Sequence, residues 1–147
     1  MKKLFNLTKQ GIDELKSEHD ALVGQRAGVA ERIKQARELG DLSENAEYQT
    51  AREEQDRLEN RIGELEHILQ NVQVIKKPKA NGTVRLGSTV KLKDGKMLEF
   101  QVVGTIEADP LHGKVSDESP IGKALLGKKV GDKVELNGAS YKIVSIT

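Results

Sequence analysis

A seven-residue repeat in the first half of the chain constrains its fold more than any other feature. Two series offset by three residues run through the first stretch, at Ile12, His19, Arg26, Ile33 and at Leu15, Leu22, Val29, Ala36. The pattern resumes after residue 43, at Tyr48, Gln55, Ile62, Leu69 and at Ala51, Leu58, Leu65, Val72. Such a repeat is typical of helices packed along one another, and no proline interrupts residues 1–77. The pattern predicts two long helices.

The break between these helices is short. Gly40 is suited to the position just after a helix, where φ is positive, and Asp41 can act as the N-cap of the second helix. Asp41 and Glu44 also fit a capping box, in which Glu44 would reach back from the third helical position. A short connection makes the helices antiparallel neighbours. We therefore expect residues 1–75 to form an antiparallel coiled-coil hairpin with an acidic tip at residues 40–45.

The second half of the chain changes to strand-like patterning. We expect residues 76–82, Lys-Lys-Pro-Lys-Ala-Asn-Gly, to be a linker. Two pairs of apolar runs flank hairpin signals at Asp94-Gly95 and Asn137-Gly138. The expected strands are Ser88–Leu92, Met97–Val103, Val134–Leu136 and Tyr141–Ile146. Residues 83–147 are therefore expected to form a small α+β domain with an antiparallel sheet.

One short helix is predicted within that domain. Ser119 can be its N-cap, Pro120 suits its first position, and Gly127 can follow its end. We expect the segment Glu107–Lys114 to be a plain loop. The predicted fold class is thus α+β, with a helical hairpin followed by a small globular domain.

Composition excludes several classes of protein. The chain has no cysteine, so disulfides and cysteine-ligated metals are excluded, and no apolar run long enough to cross a membrane. Its net charge of +1 is uneven: residues 1–75 carry 11 Lys+Arg and 15 Asp+Glu (net −4), and residues 76–147 carry 13 and 8 (net +5). No dense basic cluster indicates nonspecific DNA binding. We expect a cytoplasmic monomer that does not bind membranes.

The acidic tip has two interpretations. In the first, Asp41 and Glu44 simply cap a helix, where the dipole favours negative charge. They could also supply ligands to a magnesium ion, because two carboxylates three residues apart on a helix are neighbours. Two are too few for a site of their own, since Mg²⁺ takes six oxygens. They could complete a site in another molecule that holds phosphates, and the two interpretations are compatible.

Two stretches resemble the bacterial Gre transcript-cleavage factors, nearest the GreA type. The first is Ala36-Arg37-Glu38-Leu39-Gly40-Asp41-Leu42-Ser43-Glu44-Asn45-Ala46-Glu47-Tyr48, followed by Ala51-Arg52. The second is Ser119-Pro120-Ile121-Gly122-Lys123-Ala124-Leu125-Leu126-Gly127-Lys128, with Gly131-Asp132. Both occur in the family's order, and the resemblance covers essentially the whole chain.

The resemblance implies a function and a partner. Gre factors bind backtracked bacterial RNA polymerase through its secondary channel, and the polymerase then cleaves its own transcript. Residues matching Asp41 and Glu44 help to hold a second Mg²⁺ in the polymerase active centre, so the factor has no cofactor of its own. The globular domain resembles the FKBP fold and docks on the channel rim.

The resemblance also assigns contact residues. The rim-docking loop matches Glu118, Ser119 and Pro120. Residues like Arg37 and Arg52 face RNA or the channel wall, although a solvated charge or an interhelix ion pair explains them equally well. Asn45 could cap the helix, orient the tip or position water. Tyr48 falls in the heptad seam, which favours a packing role.

Three other functions remain to be weighed. A protein of the same architecture could block the channel without stimulating cleavage, but it would carry an altered tip. A prolyl isomerase would line its pocket with aromatics, and residues 76–147 offer only Phe100 and Tyr141. A plain coiled-coil adaptor explains the helices but neither motif.

Overall fold

The structure is a computed structural model that describes residues 4–41 and 45–147. It contains two compact units. One comprises the described residues up to Gly11 together with Val72–Thr147, and the other comprises Ile12–Asn71. These boundaries differ from the expected division at 1–75, 76–82 and 83–147. The globular unit takes residues from both flanks of the hairpin.

Pairing of two short strands explains this difference. Strand β1 (Phe5–Leu7) pairs in parallel with strand β2 (Val72–Val74). The N–H of Ile75 extends the ladder by donating to the carbonyl oxygen of Leu7 at 2.8 Å. Leu7 is completely buried. The expected linker is also tied down, because the Asn81 N–H donates to the Ile146 carbonyl oxygen at 2.7 Å.

Within the described residues, the hairpin consists of three helices. They are α1 (Lys9–Gly24), α2 (Arg26–Glu38) and α3 (Ala46–Gln70). The expected first helix is therefore interrupted at Gln25, whose N–H donates to the Leu22 carbonyl oxygen at 3.0 Å. This is a tighter, three-residue hydrogen bond, and Gly24 lies beside it with no side chain to stabilise the helix.

The heptad pattern correctly identifies most of the hairpin core. The residues of the two series that are buried within α2 and α3 are Val29, Ile33, Ala36, Ala51, Leu58, Ile62 and Leu65. At the end of α3 the pattern shifts, because Ile68 is buried while Leu69 is only half-buried. A helix with 3.6 residues per turn drifts against a strict seven-residue repeat. Arg26 is exposed and lies outside the seam.

Ion pairs between the helices flank this core. Arg26 Nε donates to Glu59 Oε1 at 2.8 Å, Arg32 Nη2 to Glu54 Oε1 at 2.6 Å, and Arg61 Nε to Glu18 Oε1 at 2.8 Å. The hydrogen bond from Arg61 lowers the pKa of the Glu18 carboxyl. The bond from Arg26 likewise lowers the pKa of Glu59. Three arginines of the hairpin are thus neutralised by acids of the opposite arm.

A five-stranded sheet forms the centre of the globular unit. Its strands are β3 (Thr89–Asp94), β4 (Lys96–Val103), β5 (Lys114–Ser116), β6 (Lys133–Leu136) and β7 (Ala139–Ile146), in the order β5-β4-β3-β7-β6. The two predicted hairpins are confirmed, with positive φ at Gly95, Asn137 and Gly138. The sheet is antiparallel except for β4 and β5, which pair in parallel.

The short helix is also confirmed. Helix α4 spans Pro120–Leu125, the Ser119 hydroxyl accepts the Gly122 N–H at 3.0 Å, and Gly127 follows with φ of 80°. Leu125 is completely buried in the same core as Val90, Leu92 and Ile143. The α+β class with a helical hairpin is therefore correct.

The segment Glu107–Lys114 is not the plain loop that was expected. It contains a 3₁₀ turn at Pro110–His112 and an isolated bridge between Asp109 and Lys114. The Glu107 side chain is 5% exposed and accepts hydrogen bonds from Thr8 N at 2.9 Å and Thr8 Oγ1 at 2.6 Å. Lys114 Nζ lies 3.8 Å from it. Remote partners order this segment, so local sequence did not reveal it.

None of the helices in the described part of the chain is both long enough and apolar enough to span a membrane.

Candidate functional site at the tip of the hairpin

Helix α2 ends just before the tip. Leu39 N donates to the Ala36 carbonyl oxygen at 3.1 Å, and Gly40 N donates to that of Arg37 at 3.2 Å. Gly40 has φ of 105°, a conformation that side chains rarely adopt, so glycine fits the position after the helix as predicted. The chain turns away there, and Asp41 follows as an exposed residue.

Asn45 is the N-cap of α3. Its Oδ1 accepts the Tyr48 N–H at 3.0 Å, and its Nδ2 donates to the Ala36 carbonyl oxygen at 2.7 Å. One side chain therefore caps α3 and fastens it to the last turn of α2. The prediction that Asp41 caps α3 is wrong, because the helix begins at Ala46. Its capping-box partner Glu44 lies outside the described residues.

Asp41 lies four residues before the N-cap and outside α3, so the position on the first turn of that helix that was expected for it is not found. Within the described residues, no group of three or more histidines or acids is arranged to hold a metal ion.

Arg37 and Tyr48 meet across the two arms. The Arg37 guanidinium carbon lies 5.8 Å from the centre of the Tyr48 ring, within the range of a cation–π contact. Tyr48 is half-buried and packs against the hairpin core, so its predicted packing role is confirmed. The contact holds the Arg37 cation near the tip without neutralising it.

Arg37 and Arg52 line one groove of about 440 Å³ beside the tip. Lys34 and Glu38 line it as well, so three cations face one carboxylate. Arg52 Nη1 donates to Gln55 Oε1 at 3.1 Å, and neither arginine forms an ion pair with a described residue. The interhelix ion pair considered for them is therefore not found in that part of the chain. The groove keeps a net positive charge.

The second candidate contact site lies in the globular unit, between β5 and α4. Glu118 and Pro120 are exposed, and Ser119 is half-buried. The Ser119 hydroxyl donates to the Ser116 carbonyl oxygen at 2.6 Å while accepting from Gly122, and Glu118 N donates to Ser116 Oγ at 3.0 Å. These bonds fix the turn and present Glu118 and Pro120 to solvent.

Sequence reasoning missed two features near these sites. Lys34 joins the basic groove, and its helical spacing of three from Arg37 could have indicated a shared face. Gly122 packs directly against the Ser116 carbonyl oxygen, and even a methyl side chain would overlap that atom. The sequence places Gly122 in the second motif, but it does not reveal the steric reason for a glycine at this position.

Two family models match the chain along nearly its whole length. The model described as "Transcription elongation factor, N-terminal" matches residues 5–74, and "Transcription elongation factor, GreA/GreB, C-term" matches residues 78–147. The chain therefore belongs to the GreA/GreB family of transcription elongation factors.

Individual relatives agree with this assignment. The transcription elongation factor GreA of Acholeplasma laidlawii (strain PG-8A) is 48% identical over 145 residues, covering 96% of this chain and 92% of the relative. GreA of Thermoanaerobacter pseudethanolicus is 50% identical over 141 residues, covering 92% and 90%. The solved structure of the transcription factor Gfh1 is 31% identical, with a TM-score of 0.50 over 99% of both chains.

Proposed function

We propose that this chain binds bacterial RNA polymerase through its secondary channel and stimulates the polymerase to cleave backtracked transcripts. The hairpin tip would enter the channel, and the loop at Glu118, Ser119 and Pro120 would dock on the channel rim. The chain would act as an accessory factor in the cytoplasm, not as an enzyme by itself. Its relatives are transcription elongation factors, which supports the choice of partner.

The observation that carries this proposal is the exposed acid at the end of the hairpin. Asp41 comes three residues after the end of α2, and it begins the intact sequence Asp41-x-x-Glu44. Capping of α3 is already performed by Asn45. Because Asn45 caps α3, the start of that helix does not require Asp41 as its cap. A role in binding is favoured instead.

In this proposal Asp41 and Glu44 would be ligands of a Mg²⁺ ion held jointly with the polymerase. The ion, when bound, supplies Lewis acidity that activates water and stabilises the leaving oxygen. Asp41 and Glu44 add negative oxygens to a site that otherwise consists of another molecule's carboxylates and phosphates. The chain would position these two carboxylates, and the polymerase would supply the rest of the active centre.

The basic groove has a separate task. Arg37 and Arg52, with Lys34, would attract the phosphates of the nascent RNA 3′ end, because phosphate contacts position a nucleic acid without reading its sequence. The cation–π contact with Tyr48 would hold the Arg37 guanidinium ready without neutralising it. Asn45 would support the site by fastening both arms.

Transcript cleavage by stalled polymerase tests the proposal. Purified bacterial RNA polymerase is halted in a backtracked complex with labelled RNA, and the protein is added. We expect short 3′ fragments with the wild type and a loss of at least about tenfold in cleavage rate with the Asp41→Asn, Glu44→Gln double variant. Binding to the polymerase, followed by fluorescence anisotropy, should remain.

Glu47→Gln is the matched control, because Glu47 is an exposed acid in the first turn of α3. It removes one negative charge close to the tip without touching the proposed ligands, and cleavage should continue. Equal loss in the control and the double variant would reject the ligand assignment. Unchanged cleavage in the double variant would do the same.

The alternatives are less well supported. A channel-blocking factor would slow synthesis without releasing fragments, which the same assay detects. For a prolyl isomerase, Phe100 and Tyr141 would have to line an open pocket, but both pack against the core of the globular unit. An adaptor function leaves the tip and the Ser119–Gly127 motif without a role.

A further inference from the structure

The outer edge of β2 is open. Strand β1 has β2 on one side, and on the other it has Gly104, where an added methyl group would lie 2.5 Å from the Asn6 carbonyl oxygen. Strand β2 pairs only with β1 among the described residues. A parallel ladder of two strands with an open edge is unusual, because parallel sheets are normally covered. Natural proteins generally protect such edges.

The direction of the free backbone groups follows from the ladder. The Ile75 N–H faces β1, because it donates to the Leu7 carbonyl oxygen at 2.8 Å. Residues alternate along a strand, so the N–H and carbonyl oxygen of Val74 point away from β1. No described residue bonds to them, and the Val74 side chain is 55% exposed. The outward edge offers one donor and one acceptor beside an apolar side chain.

A groove of about 290 Å³ lies against the β1–β2 ladder, lined by Asn6 of β1 and by Gln73 and Val74 of β2. Val74, Ile75 and Leu86 supply apolar surface, and Lys76, Lys77 and Arg85 supply positive charge. No carboxylate lines the groove, and these three cations form no ion pair with any described residue. The groove therefore combines strand-pairing groups, apolar contacts and unneutralised positive charge.

We propose that this edge binds an extended acidic segment of a partner protein by strand addition along β2. Main-chain pairing to Val74 would give the segment its direction, and alternate side chains would contact the groove. Acidic residues of the segment would neutralise Lys76, Lys77 and Arg85. This interaction is separate from the tip and does not depend on the function proposed for it.

The chemistry of the groove favours a peptide over nucleic acid. Proteins that bind single strands combine basic grooves with aromatic stacking surfaces, and no aromatic residue lines this groove. The apolar side chains of Val74, Ile75 and Leu86 would gain no favourable contact from a charged phosphate backbone. A strand edge, by contrast, pairs readily with another peptide backbone.

A labelled peptide of about ten residues that alternates valine and glutamate is the probe, matched to a typical strand length. Fluorescence anisotropy should show saturable binding to the full-length protein that weakens with salt. Hydrogen exchange of the Val74 amide should slow when the peptide binds. The Lys76→Glu, Lys77→Glu variant should bind at least about tenfold more weakly.

Two controls separate strand pairing from charge attraction. Lys93→Glu with Lys96→Glu reverses two exposed charges on the β3–β4 hairpin of the same unit and should leave binding unchanged. A peptide of the same sequence, N-methylated at alternate residues, keeps its charge but cannot pair and should not bind. Equal binding of the methylated peptide, or no protection of the Val74 amide, would overturn the proposal. So would tighter binding of an oligothymidylate, or dimerisation through the same lysines in light scattering.

Discussion

At the scale of single residues, Asn45 determines how the two arms of the hairpin join. Its amide uses both of its functions at once, with Oδ1 capping α3 and Nδ2 holding the last turn of α2. Asparagine is among the few side chains that can accept and donate in this way. The tip therefore depends on Asn45 for order and leaves Asp41 exposed.

Replacing Asn45 tests these two bonds separately. Asn45→Ala should lower the free energy of unfolding by about 1–2 kcal/mol, because it removes the cap and the interhelix bond. Asn45→Asp should lower it by about half as much, because the carboxylate still accepts from Tyr48 N but cannot donate to Ala36. Urea denaturation followed by circular dichroism measures both. Equal losses in the two variants would show that the cap contributes nothing.

The sequence predicted some of these residue roles and misplaced others. Asp41 and Asn45 are both good N-caps, and the choice between them depends on where the chain turns after Gly40, which local pattern does not reveal. Glu107 was missed altogether because its partner Thr8 lies far away in the sequence. Buried polar contacts of this kind leave no periodic signal.

At the scale of elements, the start of α1 is built around that buried carboxylate. Thr8 Oγ1 accepts the Gly11 N–H at 3.0 Å while donating to Glu107, so one hydroxyl both caps the helix and pairs with the acid. A methyl group at Gly11 would lie 2.5 Å from Glu107 Oε1. Glycine is therefore needed at position 11, because a larger side chain would overlap the Glu107 carboxylate.

Two glycine substitutions should therefore have opposite signs. Gly63→Ala, in the interior of α3 with open space around it, should stabilise the protein by about 1 kcal/mol. Gly11→Ala should destabilise it by about 1–3 kcal/mol, because Glu107 is pinned by Thr8 and cannot move aside freely. Thermal unfolding compares the two. Stabilisation by Gly11→Ala would mean that the Glu107 side chain yields easily.

The ion pairs of the hairpin predict a pH dependence. The folded-state pKa of Glu18 is lowered by Arg61, so its contribution to stability is present above its ordinary value of 4.5 and lost as the pH falls through the lowered value. Glu18→Gln should lower the free energy of unfolding by about 0.5 kcal/mol at neutral pH, because the pair is largely exposed. At about pH 3 the difference from wild type should shrink.

Urea denaturation at both pH values measures this, with Glu53→Gln as the control. Glu53 is an exposed acid of α3 that forms no ion pair with a described residue. Its substitution should change stability little at either pH. A Glu18→Gln deficit that stays constant with pH would show that the lost term is packing and not charge.

Most elements were predictable because their signals are local. The strands of the two hairpins, helix α4 and the heptad core all follow from turn residues and apolar spacing. The break at Gln25 was not predicted, since glycine next to a helical position only weakens a helix. Strands β1 and β2 were missed because three residues are too few to show alternation.

At the scale of the whole molecule, the globular unit is assembled from two separate parts of the chain. Leu7 is completely buried in it, and Glu107 finds its partner in Thr8. The division expected from sequence assumed that all residues before the linker belong to the hairpin. Composition changes near residue 76, but it carries no information about the parallel pairing of β1 with β2.

Two shortened chains test this division. Residues 76–147 alone lack β1 and β2 and should unfold at lower urea concentration. Residues 1–11 joined to 72–147 by a flexible linker of about eight Gly and Ser residues should be more stable, because β1, β2 and the Thr8–Glu107 bonds are restored. Equal midpoints would show that the first residues contribute nothing to the unit.

The divided globular unit also sets an order of events during synthesis on the ribosome. Strand β1 is made first, yet its partner β2 emerges only after the whole of α3. The hairpin unit spans only Ile12–Asn71, so it can form while the ribosome is still translating the second half. The hydrogen bonds between Thr8 and Glu107 form later still, because Glu107 must first leave the ribosomal exit tunnel. Strand β1 precedes the hairpin in the sequence, yet it is therefore among the last of the described elements to reach its native place.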